Sequence, residues 1–188
     1  MSLTNEAPGK RWGFIDRAPA RSKLIDPMFE ELAAPVGPKA RALFDLWREV
    51  SPPGDLPNRT AFTFERIQEC GSMGYFFVIE PMDGGRDWRY RLVGSRITWL
   101  FGEDTTNVPF TVHFYPDEAE QCIALSNSVV RTRVPLFLRA RFVSGNFSGE
   151  LETMSLPVHS PDNSELWLVG ASYPTGEAAR LAGIQGDG

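Results

Sequence analysis

Two histidines, two cysteines and two pairs of nearby carboxylates are the residues of this sequence whose types could do chemistry. His113 and His159 stand far apart and do not form a histidine pair of the kind that holds a metal on one helical face. Cys70 and Cys122 are equally distant and in no CxxC arrangement, so neither a disulfide framework nor a zinc knuckle is indicated. Cys122 lies between Gln121 and Ile123 on the apolar face of an expected helix, where a buried, inert thiol is the expectation rather than a flavin-adduct cysteine. Glu103 with Asp104, and Glu150 with Glu152, could serve acid–base chemistry, but such charges at strand ends are expected to be solvated. No Gly-x-Ser-x-Gly elbow is present. Gly71-Ser72-Met73-Gly74 and Asn146-Phe147-Ser148-Gly149 have the wrong spacing and fall in turns. No glycine-rich phosphate loop stands between a strand and a helix. The expectation is a protein that is not an enzyme.

The elements that would position a site are clearer. Residues 1–36 read as an N-terminal arm, with Trp12, Phe14 and Ile15 as a small apolar cluster and Pro27 to Ala34 as a short helix. From Lys39 to Val50 a stronger helix carries Leu43, Leu46, Trp47 and Val50 on one stripe, stopped by Ser51-Pro52-Pro53-Gly54. That stripe either docks on the protein's own sheet or, with Phe44, forms a dimer contact. Phe64, Ile67 and Cys70 share a helical face ahead of Gly71, and Tyr75 to Glu80 is the first strand, turning at Met82-Asp83-Gly84-Gly85.

The second strand alternates Trp88, Tyr90 and Leu92 against Arg89, Arg91 and Val93, then passes through Gly94 into a one-turn helix, Ile97 to Phe101. Gly102 breaks that helix, and a longer one begins at Pro116-Asp117. Leu136 to Val143, Glu150 to Val158 and Leu166 to Tyr173 read as three further strands, with a turn at Ser144-Gly145-Asn146 and a loose tail over residues 174–188. The order implies an α+β domain over residues 37–173, an antiparallel sheet of five strands with its helices on one face.

Composition narrows the partners. The chain has 188 residues, is 42% apolar and 12% aromatic, and so can bury one full core. Its net charge of −5 argues against nucleic acid and anionic lipid, and the local arginines alternate on strands, as a solvated sheet face would. No stretch approaches the ~20 apolar residues of a membrane span, and no secretory leader is visible, so a reducing cytoplasm is the expected location.

Several short motifs then occur in order: Leu46-Trp47-Arg48, Leu56-Pro57 with Arg59, Tyr90-Arg91-Leu92-Val93-Gly94-Ser95 with Phe101-Gly102 further on, and the late strand with Leu156-Pro157. This combination resembles a bacterial family of stand-alone PAS-like domains over roughly residues 38–173. The resemblance implies a five-stranded antiparallel sheet with short helices on one face, an N-terminal helix and a small cavity between them. It also implies sensing, signal transduction or protein interaction, with no particular ligand. The chain departs from the pattern at Thr63-Phe64, where relatives tend to have Asp-Pro, and at Glu69-Cys70-Gly71, in place of a leucine-rich segment with proline. It departs again at Thr106-Asn107-Val108, in place of Thr-Gly-Arg beside the expected cavity. Some PAS domains hold haem through a histidine near the cavity, which would point to His113; a structural histidine and no cofactor is the expectation here.

The expected cavity would be lined by Trp88, Tyr90 and Leu92, by Ile97, Trp99 and Phe101, by Phe110 and Phe114, and by Leu136 and Leu138. These residues could equally fill a solid core. The reading is a non-catalytic sensory or interaction module, binding a small apolar ligand and acting through a signalling partner or a homodimer formed by the N-terminal arm and the helix at 39–50. A small α+β enzyme on an apolar substrate, or a structural dimer module with a filled core, are the alternatives.

Overall fold

Alternation and proline placement account for most of the elements in the computed structural model, which describes residues 23–143 and 148–176. The Trp12 cluster, the turn at Ser144-Gly145-Asn146 and the tail beyond Gly176 lie outside the described residues. In chain order the elements are β1 (Lys23–Leu32), α1 (Pro38–Val50), α2 (Phe64–Glu69), β2 (Phe76–Met82), β3 (Asp87–Val93), α3 (Ser95–Phe101), α4 (Phe110–His113), α5 (Pro116–Thr132), β4 (Leu136–Val143), β5 (Ser148–His159) and β6 (Leu166–Thr175). The strands form one antiparallel sheet in the order β1-β4-β5-β6-β2-β3.

Because side chains alternate along each strand, the sheet divides the interior into two cores. Phe77, Ile79, Ala140, Phe142, Leu151 and Leu168 face one way, toward α3, α4 and α5. Phe76, Val78, Phe137, Met154, Leu156, Val158 and Val169 face the other, toward α1 and α2. The unbroken apolar run of β2 is explained by this, since a strand covered on both faces has no polar side to show.

Two expectations need correction. The sheet has six strands rather than five, and most of the segment expected to be a short helix at Pro27 to Ala34, as far as Leu32, belongs to the edge strand β1. Proline supplies no N–H to a ladder but is tolerated on an edge strand or at a bulge. The β1–β4 register does shift between Leu24 and Phe29. Pairing with β4 also satisfies backbone groups that β4 would otherwise leave open at the sheet edge, a long-range gain that local propensity does not report.

The helices, moreover, are not confined to one face. The α1 stripe docks on this protein's own sheet, burying Ala40, Leu43 and Leu46, with Phe44 edge-on to Phe137 at 5.0 Å. Pro38 opens the helix, and the buried Glu152 carboxylate on β5 accepts from the backbone N–H groups of Val36 at 2.6 Å and Gly37 at 2.8 Å. A carboxylate at a helix N-terminus offsets both unpaired donors and the helix dipole. That contact ties α1 to the sheet at its first turn.

Candidate functional site: an apolar cavity between α5 and the sheet

Strand β3 and the segment running on from it through α4 build the site. Trp88 and Tyr90 point into the core as the alternation requires, but the pattern then changes phase. Val78 pairs with Leu92 while Ile79 pairs with Tyr90, leaving Arg91 as an extra residue in a β-bulge. Past the bulge Val93 packs on the core and Leu92 turns out, 40% exposed. Gly94 comes next and starts α3. Its backbone lies so close to the Gly74 carbonyl that an added Cβ would stand 2.4 Å from that oxygen, while the Gly94 N–H donates to Phe76 O. Gly102, at φ 80°, ends α3 in the left-handed conformation that suits glycine.

A cavity of about 100 Å³ lies between this segment, α5 and the sheet. Its floor is Phe77 and Ile79 of β2, Leu136, Leu138, Ala140 and Phe142 of β4, Leu151, Thr153 and Ser155 of β5, and Ser172 of β6. Phe101, Phe110 and Phe114 close one side, and Cys122, Leu125 and Ser126 of α5 another, with Tyr90 and Phe29 completing the wall. Tyr90 is held by aromatic neighbours at ring-centre distances of 5.2 Å from Phe110, 5.8 Å from Phe77 and 5.9 Å from Phe101.

Of the sequence-predicted lining, Tyr90, Phe101, Phe110, Phe114, Leu136 and Leu138 come together around this space. Ile97 and Trp88 are buried in the surrounding core without lining it. Leu92 and Trp99 lie elsewhere, both partly exposed. Leu92 is displaced by the bulge, and Trp99 falls two residues after Ile97, on the other side of a helix that turns 100° per residue. Sequence reading missed Ala140 and Phe142, although they continue the alternation of Leu136 and Leu138. It missed Cys122 and Ser126, one turn apart on α5, and the hydroxyl residues of β5 and β6, whose polarity masks their inward orientation.

The electrostatics of the site are those of an apolar space. Among the described residues, none that lines it is Asp, Glu, Lys, Arg or His. Burial, and then the nearby Glu118, push the Cys122 thiol up to about 12, and burial raises the Tyr90 phenol beyond its ordinary range. Both stay protonated. Of the polar floor residues, Thr153 and Ser172 face one another across the strands with hydroxyl oxygens 2.8 Å apart.

His113 sits next to the cavity but does not line it. It is fully buried, with ring centres 4.5 Å from Phe114 and 4.7 Å from Phe101. Its Nδ1 is 3.5 Å from Glu103 Oε1, a contact that would favour the charged ring. Desolvation wins and lowers its pKa from 6.5 to about 4, so the imidazole is neutral. Asp104 lies outside the cavity and bonds Thr106 N at 2.9 Å. Among the described residues no group of three His, Cys, Asp or Glu is placed to hold a metal ion.

The family model of the PAS domain matches residues 37–173. This chain belongs to the PAS domain family. Neither curated proteins nor solved structures provide a match. PAS domains are in general non-catalytic sensory or interaction modules, and the antiparallel sheet with short helices is the architecture the family requires. One departure from the family pattern has a structural resolution in this PAS domain. Asn107 takes φ 63°, the left-handed region that a glycine would fill and that asparagine tolerates best among larger residues. Its N–H donates to Tyr90 O at 2.7 Å, so the loop still runs along the outer edge of β3. No helix of the described residues is long and apolar enough to cross a membrane.

Proposed function

We propose that this PAS domain is a non-catalytic sensor that takes a small apolar molecule into the cavity beneath α5. The observation that carries the reading is the cavity itself, about 100 Å³ of space walled mainly by aliphatic and aromatic side chains. A catalytic role draws no support from the lining, which offers no acid–base pair.

Occupancy has a physical route outward through β4. Leu136 and Leu138 touch the cavity, while Phe137 between them points through the sheet to Phe44 of α1. A ligand that displaces β4 therefore acts on the packing of α1, and shifts the population of any state in which α1 packs differently by its differential affinity. The outer side of α1 carries Lys39, Arg41, Asp45 and Arg48, all exposed. With the N-terminal arm, this polar ridge is the proposed contact with a second copy of the chain or with a signalling partner.

The test is a ¹⁵N-resolved titration of the full chain with small apolar compounds, coupled to native mass spectrometry of the protein as purified. Shifts at Leu138 and Cys122 accompanied by shifts at Phe44 are expected. If no compound moves these resonances and no small molecule travels with the protein, the sensor reading fails. The same sample, examined by light scattering before and after Arg41→Glu, reports the homodimer, and a Soret band after incubation with haemin would replace the apolar ligand by haem.

A further inference from the structure

The cavity is apolar in composition but not in its unmet hydrogen-bonding capacity. Tyr90 is 8% exposed and Ser126 6%, both line the space, and neither hydroxyl has a hydrogen-bond partner among the described residues. Thr153 and Ser172 differ, since each satisfies the other. Cys122, one helical turn before Ser126, lines the same space. A hydroxyl that borders the cavity without a protein partner is available to hydrogen-bond whatever occupies the space.

Two chemical constraints fix the class of that occupant. The phenol is held protonated by burial, so its O–H is a donor that an acceptor on the ligand would engage. No cation lines the site among the described residues, so a carboxylate or phosphate would be buried without a counter-charge, at a cost exceeding what a single hydrogen bond returns. Size adds a third. An apolar cavity of about 150 Å³ holds a benzene ring, so the 100 Å³ here suits a small ring or a short chain. We infer that the ligand of this PAS domain is a small, neutral, largely apolar molecule with one oxygen acceptor, such as a ketone, ester or ether, bound through the Tyr90 hydroxyl.

The inference rests on the cavity being a ligand site, and the experiment separates the two. Cyclopentanone, cyclopentane and cyclopentanecarboxylate are titrated into the full chain and into Tyr90→Phe, which removes one oxygen and keeps the ring. The ketone should lose about fivefold in affinity in the variant, the change that one net hydrogen bond makes, with cyclopentane unaffected. Equal changes for ketone and hydrocarbon, or tighter binding of the carboxylate, would overturn the acceptor assignment while leaving the cavity a ligand site. Binding of none of the three would remove both. A second readout needs no variant: the carbonyl stretch of ¹³C-labelled cyclopentanone bound to the unaltered protein should fall below its position in alkane solution. A stretch at the alkane position would equally overturn the assignment.

Discussion

His113 is where burial and charge oppose each other most directly. In the unfolded chain its imidazole protonates below about 6.5, and in the folded protein only near about 4. Between those values the unfolded state binds more protons, so stability is complete above pH 6.5 and is lost as pH falls through that window. The loss between pH 7.5 and pH 5 should be about 2 kcal/mol from this residue. His113→Leu should abolish that part of the slope, and urea midpoints at the two pH values measure it directly. An unchanged slope in the variant would assign the pH dependence elsewhere. Asp55 does not confuse the comparison, because its hydrogen bond from His159 holds it below the ordinary carboxylate range, and its contribution disappears only at lower pH.

At the scale of elements, the junction of β3 and α3 decides which side chains reach the cavity. The bulge at Arg91 reverses the phase of the strand, and Gly94 lets the chain turn immediately against the Gly74 carbonyl. Gly94 has φ −68°, which any residue can adopt, so its requirement is space rather than conformation. The obstacle is backbone and cannot swing aside. Gly94→Ala should cost about 1–3 kcal/mol by forcing β3 and the Met73-Gly74 turn apart, read as a lowered urea midpoint at constant m-value. Because Tyr90 and Phe101 flank this junction, the variant should also bind cavity ligands more weakly.

The whole molecule is a sheet shared by two cores of different character. The α1 side is a core of buried apolar side chains, while the α5 side retains a space next to the hydroxyl groups of Tyr90 and Ser126. Filling that space should stabilise the protein and silence it together. Ser126→Leu is expected to raise the melting temperature by about 2–4 °C, corresponding to roughly 1 kcal/mol in a chain of this size, and to eliminate ligand binding. A variant that melts lower, or that still binds, would show that Ser126 does not border usable volume. The same comparison tests the link through β4, since a filled cavity should hold the Phe137–Phe44 contact in one arrangement.

Periodicity by itself determined the antiparallel α+β plan, the apolar stripe of α1 though not the surface it docks on, the long helix after Pro116 and six of the cavity-lining residues, because those features arise from the repeat of apolar positions along one element. Ordered short motifs added the family. Tertiary structure alone decided the rest, and each time the deciding contact lay far away in sequence. The segment around Pro27 became a strand because β4 offered it an edge. Leu92 left the cavity because pairing with β2 placed an extra residue before it. Gly94 is required by a carbonyl twenty residues earlier. Whether the aromatic residues enclosed a space or filled it depended on how the two layers met, a difference of one small cavity that no pattern along the chain encodes.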